Sequence, residues 1–172
     1  MNFRGPIEDH KLYFRKILKI CVMFLSAEIN VTENEAKYLK LIYREQYERS
    51  TKLKTTAIAR ALGVRPATVT EVIQNLSKKK LLRYRRYYGV ELTKEGVAEA
   101  QKLLRKHRIL EVLFTNLLNY GAQEACDEAS KLDYHASRSL INAICQAYGH
   151  PKICPCRKIV FSDSECKRQT GG

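Results

Sequence analysis

The sequence has no tryptophan, and only four prolines and eight glycines among 172 residues. Glycine and proline are too few for a collagen-like or low-complexity chain, and 45% hydrophobic residues are too many for a wholly disordered one. The chain is also poor in acid: 18 Asp and Glu face 31 Lys and Arg, a formal charge of +13. That excess favours a polyanionic partner, nucleic acid or an anionic membrane surface. A long hydrophobic run is missing too. Ile17 to Leu25 comes nearest, but Lys19 interrupts it and it falls far short of the roughly 20 residues that span a bilayer. We therefore expect no membrane partner and a cytoplasmic location, where six cysteines act as metal ligands, redox thiols or buried apolar groups rather than as structural disulfides. No Walker loop, dinucleotide glycine motif or Ser-His-Asp arrangement is present, so the chain is not expected to be an enzyme.

The basic excess is concentrated. Residues 1–50 carry 9 basic and 7 acidic groups, residues 51–110 carry 15 and 4, and residues 111–172 carry 7 and 7. One nucleic-acid-facing unit joined to an electrically neutral one explains this better than a uniformly basic protein does.

Hydrophobic periodicity and capping signals supply the expected fold. Residues 8–27 have apolar positions near helical spacing with basic residues between them, an amphipathic helix suited to packing within a dimer. Thr32 with Glu35 forms a capping box ahead of a helix expected to reach about Glu48. A second helix should be capped by Thr55 or Thr56 and end at Gly63. Val64 then plugs the turn, and Pro66 opens a third helix that buries Val69, Val72, Ile73 and Leu76. This is a helix-turn-helix, whose recognition helix turns Arg65, Thr68, Thr70 and Glu71 outward as candidates for base-edge contacts. Arg83 to Leu92 reads as a β-hairpin wing. Lys54, Lys78, Lys79, Arg83, Arg85, Arg86 and Tyr88 are the candidates for backbone and wing contacts. Thr93 caps a long helix running to about Leu118, and 122–132 and 137–148 read as two further helices.

The fold class is thus mainly α with a small β-wing: a winged helix-turn-helix followed by an all-helical dimerisation domain. We expect an N-terminal extension at 1–30, the winged domain at 31–105, the helical dimerisation and metal-sensing domain at 106–150 and a cysteine-containing tail at 151–172.

In chain order, Ile58-Ala59-Arg60-Ala61-Leu62-Gly63-Val64, Ala67-Thr68-Val69-Thr70-Glu71, Gly89 to Gly96, Lys106-His107-Arg108-Ile109-Leu110-Glu111 and Gly149-His150-Pro151 resemble the diphtheria toxin repressor and manganese transport regulator family of metal-dependent transcription factors. The resemblance covers about residues 33–156. It implies a homodimer that binds a palindromic operator in double-stranded DNA under the control of a divalent metal.

Carried over by motif, the family's ancillary metal ligands fall on His107 and Glu111, an i, i+4 pair on one helix face. The next falls on Cys126, a softer ligand than the usual histidine. The family's primary ligand positions align with Lys37, Lys40, Ser130, Asp133 and Tyr134, of which only Asp133 remains a competent ligand. The ordinary iron or manganese site is therefore not expected intact. In its place the chain has gained sulfur. We expect Cys126, Cys154, Cys156 and Cys166 to hold an iron–sulfur cluster or, alternatively, a zinc or iron divalent ion, with His107, Glu111 and Asp133 as secondary candidates; the third reading is a thiol/disulfide switch or no site at all. Cys21 and Cys145 are expected in apolar cores.

The function expected from the sequence is a sequence-specific regulator, a repressor, of metal or redox response. The rival is a thiol-based redox or zinc-binding winged-helix protein without operator-specific regulation.

Overall fold

In the computed structural model, residues 31–85 and 89–166 are described. The expected helix at 8–27 lies outside them, as do Arg86 and Tyr88. Helix α1 (Glu33–Tyr43) begins at Thr32, whose hydroxyl accepts from the Glu35 amide at 3.2 Å while the Glu35 carboxylate accepts the Thr32 amide at 2.6 Å. The expected capping box is formed. The helix does not continue regularly to Glu48: Arg44–Glu48 forms a π-helical turn. There Gln46 both donates to the Val90 carbonyl and accepts the Leu92 amide, satisfying the outer edge of the wing.

Helix α2 (Thr55–Leu62) starts at Lys54 without a side-chain cap, so neither Thr55 nor Thr56 plays the expected part. It ends at Gly63, whose φ of 65° makes the turn into α3 (Pro66–Lys78). Val64 packs on the core, and Val69, Val72, Ile73 and Leu76 are buried. Strands β1 (Leu82–Arg85) and β2 (Gly89–Leu92) pair antiparallel, Leu82 opposite Leu92 and Arg85 opposite Gly89.

Thr93 accepts the Gly96 amide and starts α4 (Lys94–Leu118), a helix of 25 residues. A Cβ at Gly96 would lie 1.9 Å from the Leu81 carbonyl oxygen, so glycine is what lets α4 start against the wing. Helices α5 (Ala122–Leu132) and α6 (Arg138–Ala147) complete the helical half.

Two cores result, and α4 serves both. Ala100, Leu103 and Leu104 close the core of the winged half. Ile109, Leu110 and Phe114 pack with Ala125, Ala129, Ile141 and Ile144 in the other. Between these groups α4 is buried all round from Leu103 to Val112, including Arg105, Lys106, His107, Arg108 and Glu111. Of the buried cations there, Lys106 donates to the Ala136 carbonyl at 2.6 Å, Arg108 pairs with Glu48, and Arg105 lies 3.9 Å from Asp163 with its Nε left without a hydrogen-bond partner. No helix among the described residues is long and apolar enough to cross a membrane.

Candidate metal centre and nucleic-acid interface

On one turn of α4, His107 and Glu111 point to the same side. His107 Nε2 lies 3.0 Å from Glu111 Oε1 and 3.4 Å from the Sγ of Cys126, which α5 brings against α4. The three donors converge within 4.8 Å of one another. Two of them, His107 and Glu111, are 1% and 2% exposed, so the cluster sits inside the fold. The other oxygen of Glu111, Oε2, is buried without a hydrogen-bond partner. A buried carboxylate oxygen left unpaired is costly unless a cation or water takes it up.

The C-terminal segment supplies more sulfur. An isolated β-bridge joins Ile153 to Ile159, the Cys154 amide donates to the Lys158 carbonyl at 2.9 Å, and Arg157 takes a φ of 58°. This tight loop seats Cys154 in the interior and Cys156 beside Ala122, whose carbonyl accepts from the Cys156 thiol at 3.6 Å. Both thiols act on Glu111. Burial would raise the Glu111 carboxyl, but His107 and the Cys154 thiol outweigh it and hold the group at about 2. Burial, with the facing Glu111 carboxylate adding to it, pushes the Cys154 thiol up to about 11. Burial would likewise lower His107, yet Asp133, Cys126 and Glu111 together raise it to about 9.

Asp133 stands outside this trio. Its Oδ2 lies 3.0 Å from His107 Nδ1 and also accepts the Lys40 ammonium. Asp133, expected as a secondary ligand candidate, lies instead against the other ring nitrogen, so that Nε2 faces Glu111 and Cys126; a carboxylate in that position is of the kind that orients metal-ligating histidines. Lys37, the other lysine at a family ligand position, pairs with Glu33 at the surface.

The expected set of four cysteines is not assembled. Cys126, Cys154 and Cys156 surround Glu111, whereas Cys166 is carried away along α6, where Cys145 and His150 receive it. The reason lies in Asp163, which Arg138 grips with two hydrogen bonds of 2.8 and 2.6 Å. Cys145, expected in an apolar core, is indeed buried, but in contact with Cys166 and His150.

At the other end of the molecule the helix-turn-helix presents Arg65, Thr70 and Glu71 to solvent, with Thr68 half-buried. The Thr70 hydroxyl donates to the Pro66 carbonyl at 3.1 Å. Lys54, Lys78, Arg83 and Arg85 are exposed, Arg85 facing Glu91 across the wing at 3.6 Å. Lys79 reaches back to Glu35 at 2.7 Å and ties α3 to α1.

Comparison with known proteins agrees with this division. Residues 30–90 match the family model described as the N-terminal DNA binding domain of the iron dependent repressor, and residues 93–161 match its metal binding and dimerisation domain. An uncharacterised helix-turn-helix transcriptional regulator of Methanocaldococcus jannaschii is 31% identical over 107 residues, 62% of this chain and 86% of that protein. The transcriptional regulator MntR of Oceanobacillus iheyensis is 30% identical over 113 residues, 66% of this chain and 76% of that one. Among solved structures, the manganese regulator SloR superposes with a TM-score of 0.64 at 36% identity, covering 73% of this chain. This chain spans only 58% of SloR. With a DNA-binding half and a metal-binding and dimerisation half each matched in order, the chain belongs to the iron-dependent repressor family, that of the diphtheria toxin repressor and MntR.

Proposed function

We propose that this protein is a homodimeric transcriptional repressor that binds a palindromic operator through α3 and the wing, under the control of a thiophilic divalent cation of the zinc or ferrous class. His107, Glu111 and Cys126 hold the cation, and Cys154 or Cys156 completes the set. The observation that carries this reading is the unpaired Oε2 of Glu111, itself one of three residues whose donor atoms already converge. Sulfur in the set selects against manganese, the metal named for SloR, because thiolates favour softer ions. A cluster bound by four cysteines is not favoured, since Cys166 stands elsewhere. Bound metal would add a bridge between α4, α5 and the C-terminal loop. It shifts DNA affinity to the extent that it prefers the DNA-competent arrangement.

The test is fluorescence anisotropy of reduced, anaerobic protein on a palindromic duplex selected from a random pool, with zinc or iron(II) added and then chelated. Metal should tighten binding by about tenfold or more, and His107→Ala should abolish that gain while leaving metal-free binding alone. Equal binding to a scrambled duplex, collapsing with salt, would instead identify a winged-helix protein without operator specificity.

A further inference from the structure

We propose that Cys145, His150 and Cys166 form a second site for one thiophilic divalent cation of the zinc class, separate from the His107 centre, which clasps the C-terminal segment onto α6. The three donor atoms lie within 4.8 Å of one another. Nδ1 of His150 is 3.6 Å from the Sγ of Cys145 and 3.6 Å from that of Cys166. Zinc bonds of about 2.3 Å to sulfur and about 2.0 Å to nitrogen, meeting at a tetrahedral angle, set sulfur and nitrogen about 3.5 Å apart, close to both distances. A hydrogen bond explains only half of this arrangement. A ring nitrogen has one lone pair, or one proton, and here two thiols approach it equally closely.

The backbone around the trio is shaped for convergence. Helix α6 ends at Ala147, and Gly149 and His150 then both take left-handed conformations, with φ of 68° and 58°. For histidine that region is sparsely populated. It turns the chain back so that the His150 amide donates to the Cys145 carbonyl at 2.8 Å, which sets the ring over the last turn of α6. The third donor comes from the far end of the described chain. Arg138 grips Asp163, and the Cys166 amide donates to the Asp163 carbonyl at 3.0 Å, which places the Cys166 thiol beside the other two donors.

The charges balance. Each thiol releases its proton to solvent as the cation enters, and two thiolates with a neutral imidazole compensate a dication. Among the described residues this site shares no donor with the His107 cluster. Residues 154–166 are therefore pinned at both ends, by Cys154 and Cys156 near Glu111 and by Cys166 near His150.

The test is a titration of the reduced, anaerobic full-length protein with cobalt(II) alone, read in its tetrahedral ligand-field and thiolate charge-transfer absorption. Wild type should take up about two equivalents per chain and the Cys166→Ser variant about one. Cys166 is only half-buried, so that variant is expected to unfold at the wild-type temperature; Cys145→Ser, which empties a buried position, is the second arm. His107→Ala should lose the other equivalent, so failure of the sensor reading is distinguished from failure of this one. The proposal is overturned if Cys166→Ser keeps both equivalents. It is equally overturned if the Cys145 and Cys166 peptides are recovered as a disulfide from protein isolated anaerobically, with no cobalt bound there.

Discussion

Asp133 holds His107 Nδ1 at 3.0 Å through the same carboxylate oxygen that accepts Lys40. A lysine thus enters the interior and, by way of Asp133, fixes the histidine of the His107 cluster. The pair joins α1 of the winged half to the end of α5, across 93 residues of sequence.

Removing Lys40 should therefore destabilise the fold. Lys40→Met leaves Asp133 buried without its cation, and loss of one partner of a buried pair destabilises by about 3 kcal/mol. Urea unfolding followed by circular dichroism measures that loss. A change below about 0.5 kcal/mol would show that the pair is energetically idle.

Asp133→Asn keeps the shape of the side chain but weakens its hold on His107. Changes behind a metal ligand typically reduce affinity by roughly 10–100-fold. Competition with a chromogenic chelator should show such a loss for zinc, and an unchanged affinity would separate Asp133 from the metal centre.

For DNA, Arg65→Ala and Lys78→Ala should differ in kind. Arg65, at the N-terminus of the recognition helix, is expected to influence which duplex is preferred, whereas Lys78 contributes charge alone. Lys78→Ala should weaken binding to all duplexes alike and reduce the slope of log affinity against log salt by about 1. Arg65→Ala should narrow the gap between operator and scrambled duplex in a competition assay. If that gap is unchanged, Arg65 does not read sequence.

Glu35 supplies a pH dependence. Burial would raise its carboxyl, but Lys79 and the Thr32 backbone and hydroxyl hold it below the usual carboxylate range. A depressed pKa contributes stability above the unfolded-state value and loses it as pH falls through the folded one. Wild type should therefore be more stable than Glu35→Gln at neutral pH, and the two unfolding curves should converge as the pH drops below about 4. Parallel curves down to lower pH would rule the linkage out.

Gly96→Ala places a methyl group against the Leu81 carbonyl. Relief requires α4 and the wing to separate, at a cost of about 1–3 kcal/mol. A Tm equal to that of wild type would mean the junction yields freely.

The winged half was legible because its signals are local. Thr32 with Glu35, Gly63, Pro66 and the Thr93 cap each act within four residues, and each stands where the sequence places it. The His107–Glu111 pair was legible for the same reason, being one helical turn. The π-helical turn at Arg44–Glu48 was not, because its use depends on Gln46 meeting the backbone of β2 more than forty residues away. Asp133 could be recognised as a competent ligand but not as a partner of Lys40. The separation of Cys166 from the other three cysteines was hidden for a similar reason: a cysteine near the chain end has no periodic signal, and its neighbours are decided by the grip of Arg138 on Asp163. One hint was available in hindsight. Arg105-Lys106-His107-Arg108 is a run of four basic residues in the middle of a helix flanked by apolar positions on both sides, and burial of the whole run requires acids and carbonyls from several other segments to meet it.

The unbroken course of α4 has a mechanical consequence. His107 lies 13 positions beyond Lys94, so the His107 cluster and the root of the wing sit on one rod, about 20 Å apart at 1.5 Å per residue. Along such a rod a tilt of about 5° at one end becomes a sideways displacement of nearly 2 Å at the other, with no hinge between them to absorb it. The spacing between the reading heads of a dimer would then be set with the leverage of a pair of callipers.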